Sequence, residues 1–343
     1  MNIRDIARRA RVSTATVSRT LNRASTVDPK LARRVLNVVQ RTGFYPNVQA
    51  RALVSGRSRI FGLIVSEITN PFFPEIVQSF ENIAVAHNYE ILLSSTVHDP
   101  ERMRLAVRRM VERRVDGIAV MTFGMEEALA TDPQLRRIPL VFVDQSPDDG
   151  RSSHIQIDYL FGIRQAVSHL VDLGHERIAF ISGPLNLPSA VERRTAFVTA
   201  LRQLRLKRDR QLVIEGDHTM EGGMAAFSKL CQITDKPTAV VCSNDMTAIG
   251  VVRQAYETKL RVPEDISVVG FDDIRFSRFM VPPLTTIQMS QSRLAELAFR
   301  ALLSSVDPKA EPRSDEHKLR TELIQRRSTA PPASLRARAQ SAR

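Results

Sequence analysis

From residue 60 onward the chain alternates short apolar runs with longer amphipathic stretches, and no other feature restricts its fold as much. IFGLIVS (60–66), EILLSS (90–95), DGIAVM (116–121) and IPLVFVD (138–144) are strand-like. A second series starts near Ser153 with HIQID (154–158), followed by RIAFIS (177–182), AVVCS (239–243) and ISVVGFDD (266–273). Helical spacing falls between them, at 73–87, 101–113, 160–173, 190–204 and 245–258. Strands that are apolar on both faces and separated by helices predict parallel sheets covered on each side. A break near 145–152 splits the series, so two doubly wound α/β subdomains are expected rather than one large sheet. Ligands of such sheets sit at the carboxyl ends of the strands, so two facing sheets enclose a cleft.

The first 59 residues are of another kind. They carry thirteen Lys or Arg against Asp5 and Asp28 alone, whereas the remaining 284 residues carry 36 basic and 35 acidic side chains. Nearly all of the net charge of +12 therefore sits in one sixth of the chain, and such asymmetry points to nucleic acid. A solvated basic tail would lack apolar periodicity, but this segment has it. Asn2 and Asp5 make a variant capping box, and Ile3, Ile6, Ala7 and Ala10 share one helical face. Arg11-Val12 reads as a turn, and Ser13 is placed to cap a second helix running to Asn22, with Val17 and Leu21 on its inner side. Asp28 caps a third helix with Pro29 at its first position, a stripe of Leu31, Val35, Val38 and Val39, and Gly43 as the stop. Two short helices joined by a tight turn predict a helix-turn-helix, whose second helix enters the major groove. Thr14, Ala15 and Arg19 lie where base edges are read, Arg19 suiting guanine and Ala15 a thymine methyl. Ser13, Thr16, Ser18 and Asn22 are placed for phosphates.

IRDIARRARVSTATVSRTLN, with V-S-x-x-T-V-S-R-x-x-N at Val12 to Asn22, resembles the DNA-reading headpiece of the LacI/GalR family of bacterial transcription regulators. GHERIAFISGP (174–184), PTAVVCSNDMTAIG (237–250), LRVPEDISVVGFDD (260–273) and PPLTTI (282–287) resemble the periplasmic-binding-protein-like core of that family. The resemblance implies a headpiece at 1–45, a hinge helix or linker at 46–59 and a ligand-binding and dimerisation core at 60–330. It divides the core into an N-subdomain of about 60–158 plus 289–317 and a C-subdomain of about 159–288 plus 318–330. It also implies that the hinge segments of a homodimer meet in the minor groove of a palindromic operator. There Asn47 and Ala50 are contacts, and Leu53 wedges between base pairs. Effector positions carried over from the family are Phe72, Phe73, Asp144, Ser189, Arg193, His218, Asn244 and Asp272, a set suited to a sugar or sugar derivative. His218 stands where several members carry an aromatic ring and Met289 where Gln is common, while Leu187 and Ser189 carry no charge.

Composition fits this reading. No apolar run approaches the ~20 residues of a membrane span, the N-terminus lacks the apolar core of a secretory signal, and Cys231 and Cys242 read as reduced core thiols. A cytoplasmic protein is therefore expected. The chain lacks G-x-S-x-G, H-E-x-x-H, C-x-x-C, Walker-type and G-x-G-x-x-G motifs, so no catalytic residue, metal ligand or cofactor is expected. His169 and His175 read as surface or capping residues, and the basic tail 331–343 as a disordered segment without heptads, which favours a dimer over a tetramer. A cytoplasmic sugar-binding or sugar-modifying protein without operator recognition is the alternative.

Overall fold

In a computed structural model, residues 1–21, 26–45, 56–122, 129, 135, 138–144, 152–206, 209–306 and 317–336 are described. The chain divides into two compact units, Met1–Arg59 and Ile60–Arg343. Within the described part no helix is long and apolar enough to cross a membrane.

The first unit holds α1 (Ile3–Ala10), α2 (Thr14–Leu21) and α3 (Pro29–Thr42). Each starts as its sequence dictates. Asn2 accepts from the backbone of Arg4 and Asp5 while the Asp5 carboxylate accepts from the Asn2 N–H, so orphan donors at the helix start are satisfied reciprocally. Asp28 does the same for Lys30 and Leu31, ahead of Pro29, and Gly43 closes α3 in the left-handed region at φ 59°. A five-residue core of Ile6, Ala7, Ala10, Val17 and Val35 joins the helices. From α3, Arg34 donates to the Ala10 and Arg11 carbonyls, fixing the turn before α2. Asn22 and the hinge positions Asn47, Ala50 and Leu53 lie outside the described residues.

The second unit contains two six-stranded sheets. Its elements are, in chain order, β1 (Ile60–Val65), α4 (Phe72–Ala86), β2 (Glu90–Ser95), α5 (Pro100–Glu112), β3 (Gly117–Met121), β4 (Leu140–Val143), β5 (Ser153–Asp158), α6 (Tyr159–Asp172), β6 (Ile178–Ser182), α7 (Pro188–Gln203), β7 (Val213–Glu215), α8 (Met220–Cys231), β8 (Ala239–Cys242), α9 (Asp245–Glu257), β9 (Ser267–Asp272), β10 (Thr285–Gln288), α10 (Gln291–Val306), β11 (His317–Arg320) and β12 (Glu322–Ile324). The N-sheet runs β11-β5-β4-β3-β1-β2 and the C-sheet β12-β10-β9-β8-β6-β7. The same strand order appears twice, and all pairings are parallel except β10 with β12.

Three details differ from the sequence expectation. The break at 145–152 in the strand pattern does not separate the subdomains, because β5 pairs with β4 in the N-sheet; the chain crosses over between Asp158 and Tyr159, at the boundary that the family resemblance implied. The last crossing comes at Thr321 rather than after residue 317, since β11 extends the N-sheet beside β5. Thr321 Oγ1 donates to the Asp158 carbonyl and accepts from the Gly162 N–H, which ties two of the crossings together. The tail expected to be disordered from 331 instead forms a helical turn at 333–336, with Leu335 covering Gly174. His175 belongs to that arrangement. Of the two readings, surface or capping, the first does not hold for His175: it is 2% exposed, and its ring bonds Thr238 Oγ1 and the Ala330 carbonyl, while His169 meets Thr329 Oγ1. Cys231 and Cys242 are free thiols.

Candidate functional site

On the first unit, α2 turns Thr14, Ala15 and Arg19 to solvent and Val17 to the core. Ser13 Oγ accepts from the Thr16 N–H at 3.0 Å and bonds the Thr16 hydroxyl at 2.9 Å, so these two expected phosphate ligands first hold each other and the start of the helix. Ser18 is half-buried beside them.

The second unit holds a cavity of about 270 Å³ lined from both sheets. The N-sheet contributes Ser66 and Glu67 after β1, Asn70, Phe72 and Phe73 at the start of α4, and His98 after β2. From the C-sheet come Leu187, Ser189 and Arg193 around and on α7, Asp217 to Thr219 after β7, Asn244 after β8 and Asp272 at the end of β9. These are carboxyl ends of parallel strands, where ligands of such folds bind.

Arg193 is the centre of the cavity's electrostatics. It is 4% exposed, lies over the rings of Phe271 (4.3 Å) and Tyr159 (5.2 Å), and donates through Nη1 to the Ser243 carbonyl. Asp272, also 4% exposed, stands 3.8 Å away, which is an ion pair without a hydrogen bond. Burial outweighs the attraction of Arg193 and pushes the Asp272 carboxyl up to about 7. Burial, with Arg193 adding to it, pushes His218 down to about 3, leaving a neutral imidazole. Among the described residues, Arg193 Nε, Asp272 Oδ1, His218 Nε2 and Ser66 Oγ are buried polar atoms without a partner. Buried polar groups ordinarily find one, and these four residues all line the same cavity.

The backbone bends sharply at this place. Asp144, His218, Asp272 and Asp273 have φ of 66°, 66°, 110° and 55°, a region that costs non-glycine residues about 1–3 kcal/mol each. The His218 ring fits only because position 183 is glycine, where a Cβ would stand 1.9 Å from Nε2. Leu187 gives α7 no side-chain cap, so the positive end of that helix opens beside Ser189 at the cavity without a capping group.

These features are those of one family. Residues 2–47 match the bacterial regulatory proteins of the lacI family, and residues 167–329 match the periplasmic binding protein-like domain. The chain is 34% identical to the HTH-type transcriptional repressor PurR of Pasteurella multocida, over 95% of this chain and 98% of that one. It is 33% identical to the ribose operon repressor of Escherichia coli (strain K12), over 89% and 92% of the two chains. The chain belongs to the LacI family of transcriptional regulators. Among solved structures it is similar to the lac repressor dimer bound to operator and the anti-inducer ONPF, with a TM-score of 0.85, 28% identity, and 96% and 99% of the chains covered.

This LacI-family protein is a ligand-responsive DNA-binding repressor, and nothing supports the alternative of a sugar-modifying protein. Seven of the eight effector residues expected from sequence line the cavity: Phe72, Phe73, Ser189, Arg193, His218, Asn244 and Asp272. Asn244 is largely committed elsewhere, since its Oδ1 caps α9 at Thr247 and its Nδ2 donates to the His218 carbonyl. Asp144 is the exception and is corrected to a supporting position. It is not among the lining residues, and its carboxylate accepts from the Tyr159 hydroxyl and from the Ile157 N–H at 3.2 Å, while burial lifts it to about 7. It thus anchors the ring on which Arg193 lies. Met289 is wholly buried in the core. Ser66, Glu67, Asn70, His98, Asp217 and Thr219 escaped the sequence reading. The strand-end rule locates them, because they follow β1, β2 and β7 as Asp272 ends β9.

Proposed function

We propose that this chain represses transcription as a homodimer on a palindromic operator, and that a small polyhydroxy ligand, a sugar or sugar derivative, binds between its subdomains and controls the repression. The carrying observation is the 270 Å³ cavity in which Ser66 from one subdomain and Arg193 and Asp272 from the other bring unpartnered buried polar atoms together. A diol can donate to Asp272 and accept from Arg193, which no apolar ligand can do. Phe72 and Phe73, edge to face at 5.3 Å, offer an apolar wall for a sugar's C–H face.

A dimer follows from recognition, because one headpiece reads only a half-site and protein symmetry mirrors operator symmetry. The C-subdomain supports this reading with an exposed apolar segment, where Phe276, Phe279 and Val281 are 59%, 71% and 91% accessible. Ligand drawing the subdomains together changes the spacing of the two hinge segments at 46–59, and with it the placement of Leu53 in the minor groove. Coupling of this kind is reciprocal, so operator changes ligand affinity by the same factor.

A thermal-shift screen of pentoses, hexoses, sugar acids and purine bases tests the ligand class, and each hit is then titrated against operator binding. A sugar hit that changes operator affinity supports the proposal. A purine hit replaces the ligand class, and equal ligand affinity with and without operator overturns the coupling.

A further inference from the structure

We propose a second ligand site on the outer face of α7, one that takes a phosphorylated small molecule of nucleotide size. A groove of about 890 Å³ lies there, distinct in its lining from the cleft between the subdomains. Arg194, Arg202, Arg205 and Arg210 line it, and among the described residues no acidic side chain does. Arg194, Val198 and Arg202 recur every four residues on one face of α7, and Arg205 follows just past its C-cap in the left-handed region at φ 57°. Among the described residues none of the four arginines has an ion pair, whereas Arg108, Arg253, Arg293, Arg300 and Arg326 each have one. The nearest acid in sequence, Asp209, is held by Arg177 at 3.1 Å.

The concentration of charge is local. Residues 60–343 are almost neutral as a whole, so four guanidinium groups around one groove, none ion-paired among the described residues, are not a by-product of a basic core. Guanidinium forks match phosphate oxygens two by two. Between them Val198, Leu206 and Val213 make an apolar floor, and Thr195 and Thr199 add hydroxyl donors. Phosphate on the arginines and a flat apolar body on the floor satisfy both parts. The volume lies within the ~300–1,000 Å³ of small-molecule sites. The helix that carries Arg194 and Arg202 also carries Ser189 and Arg193 in the cleft, so one rigid element borders both ligands.

Calorimetric titration of the full-length protein with ATP, and separately with inorganic pyrophosphate, tests the site. The doubly substituted R202A/R210A is expected to bind ATP at least about tenfold more weakly, a loss of about 1.4 kcal/mol, at an unchanged melting temperature. Headpiece variant R8A/R9A is expected to bind ATP as the unsubstituted protein does. Pyrophosphate should bind more weakly than ATP, because it leaves the apolar floor uncovered. Absence of ATP binding, equal affinity in R202A/R210A, or loss confined to R8A/R9A would each overturn the proposal. Equal affinity for pyrophosphate and ATP would remove the apolar body from it.

Discussion

The reading helix turns its polar chemistry out to solvent, whereas the cleft buries its own. In the head, α2 turns Thr14, Ala15 and Arg19 outward from a five-residue core, and the bonds that start its helices are local: Ser13 to Thr16, Asn2 to Asp5, Asp28 to Leu31. In the cleft, Arg193 and Asp272 point inward at 4% exposure, come from elements about eighty residues apart, and rest on Tyr159 and Phe271. A surface that must meet a long polyanion can stay solvated until it does. A site for one small molecule must instead exclude water before the ligand arrives, which leaves buried polar atoms waiting for partners.

The largest expected effect separates the two regions completely. Asp272→Ala should abolish the ligand-induced shift in melting temperature and in operator affinity, while operator affinity without ligand stays within about threefold by fluorescence anisotropy, less than the ~1.4 kcal/mol of a tenfold change. An unchanged ligand response would remove Asp272 from the site. Next comes the head's small core, where Val17→Ala should cost the headpiece about 2–3 kcal/mol in chemical denaturation and leave ligand binding intact. If ligand affinity moved as well, the two units would not be energetically separate. Arg19→Ala should cost about 1–3 kcal/mol of operator affinity and relax preference at one base pair per half-site. A loss equal on all sequences would reassign Arg19 to phosphate.

The smallest effect is on pH dependence. Burial raises Asp272 to about 7, above the ~3.9 of an unfolded aspartate. The folded core therefore holds a proton that the unfolded chain has already released, and this residue's contribution to stability declines as pH rises from about 4 to 7. His218, lowered to about 3, has the opposite sign, and its contribution is lost as pH falls from about 6.5 toward 3. Asp272→Asn removes only the first. The melting temperature of D272N minus that of the unsubstituted protein should thus rise between pH 5 and 8. A flat difference would mean that Asp272 titrates in the ordinary carboxylate range.

Local rules reached the head almost to the residue. The capping side chains, the αL residue at the helix stop and the apolar stripe all act within four positions, so α1, α2 and α3 begin where Asn2, Ser13 and Asp28 say they should. In the core, the helical spacing at 73–87, 101–113, 160–173, 190–204 and 245–258 left out α8, whose Gly223 lies against α9 so closely that a Cβ would stand 2.3 Å from the Thr247 carbonyl oxygen. The sequence left His175 open between surface and capping because its partners, Thr238 and Ala330, lie 63 and 155 residues away.

The candidate site shows the same division. Resemblance placed Arg193, Asp272 and Phe72 at the cavity, but Asp144, which follows the same kind of strand end, is not among its lining residues and is bonded to Tyr159. Sequence by itself determined the two kinds of unit, the DNA-reading helix and the strand ends that bear polar residues, because charge, capping and apolar period are properties of neighbouring positions. Tertiary structure alone decided which of those polar residues share a cavity, where the chain crosses between sheets, and that Arg193 and Asp272 lie side by side without a hydrogen bond. These depend on how distant strands stack and on the removal of water around them, which no short window of sequence contains.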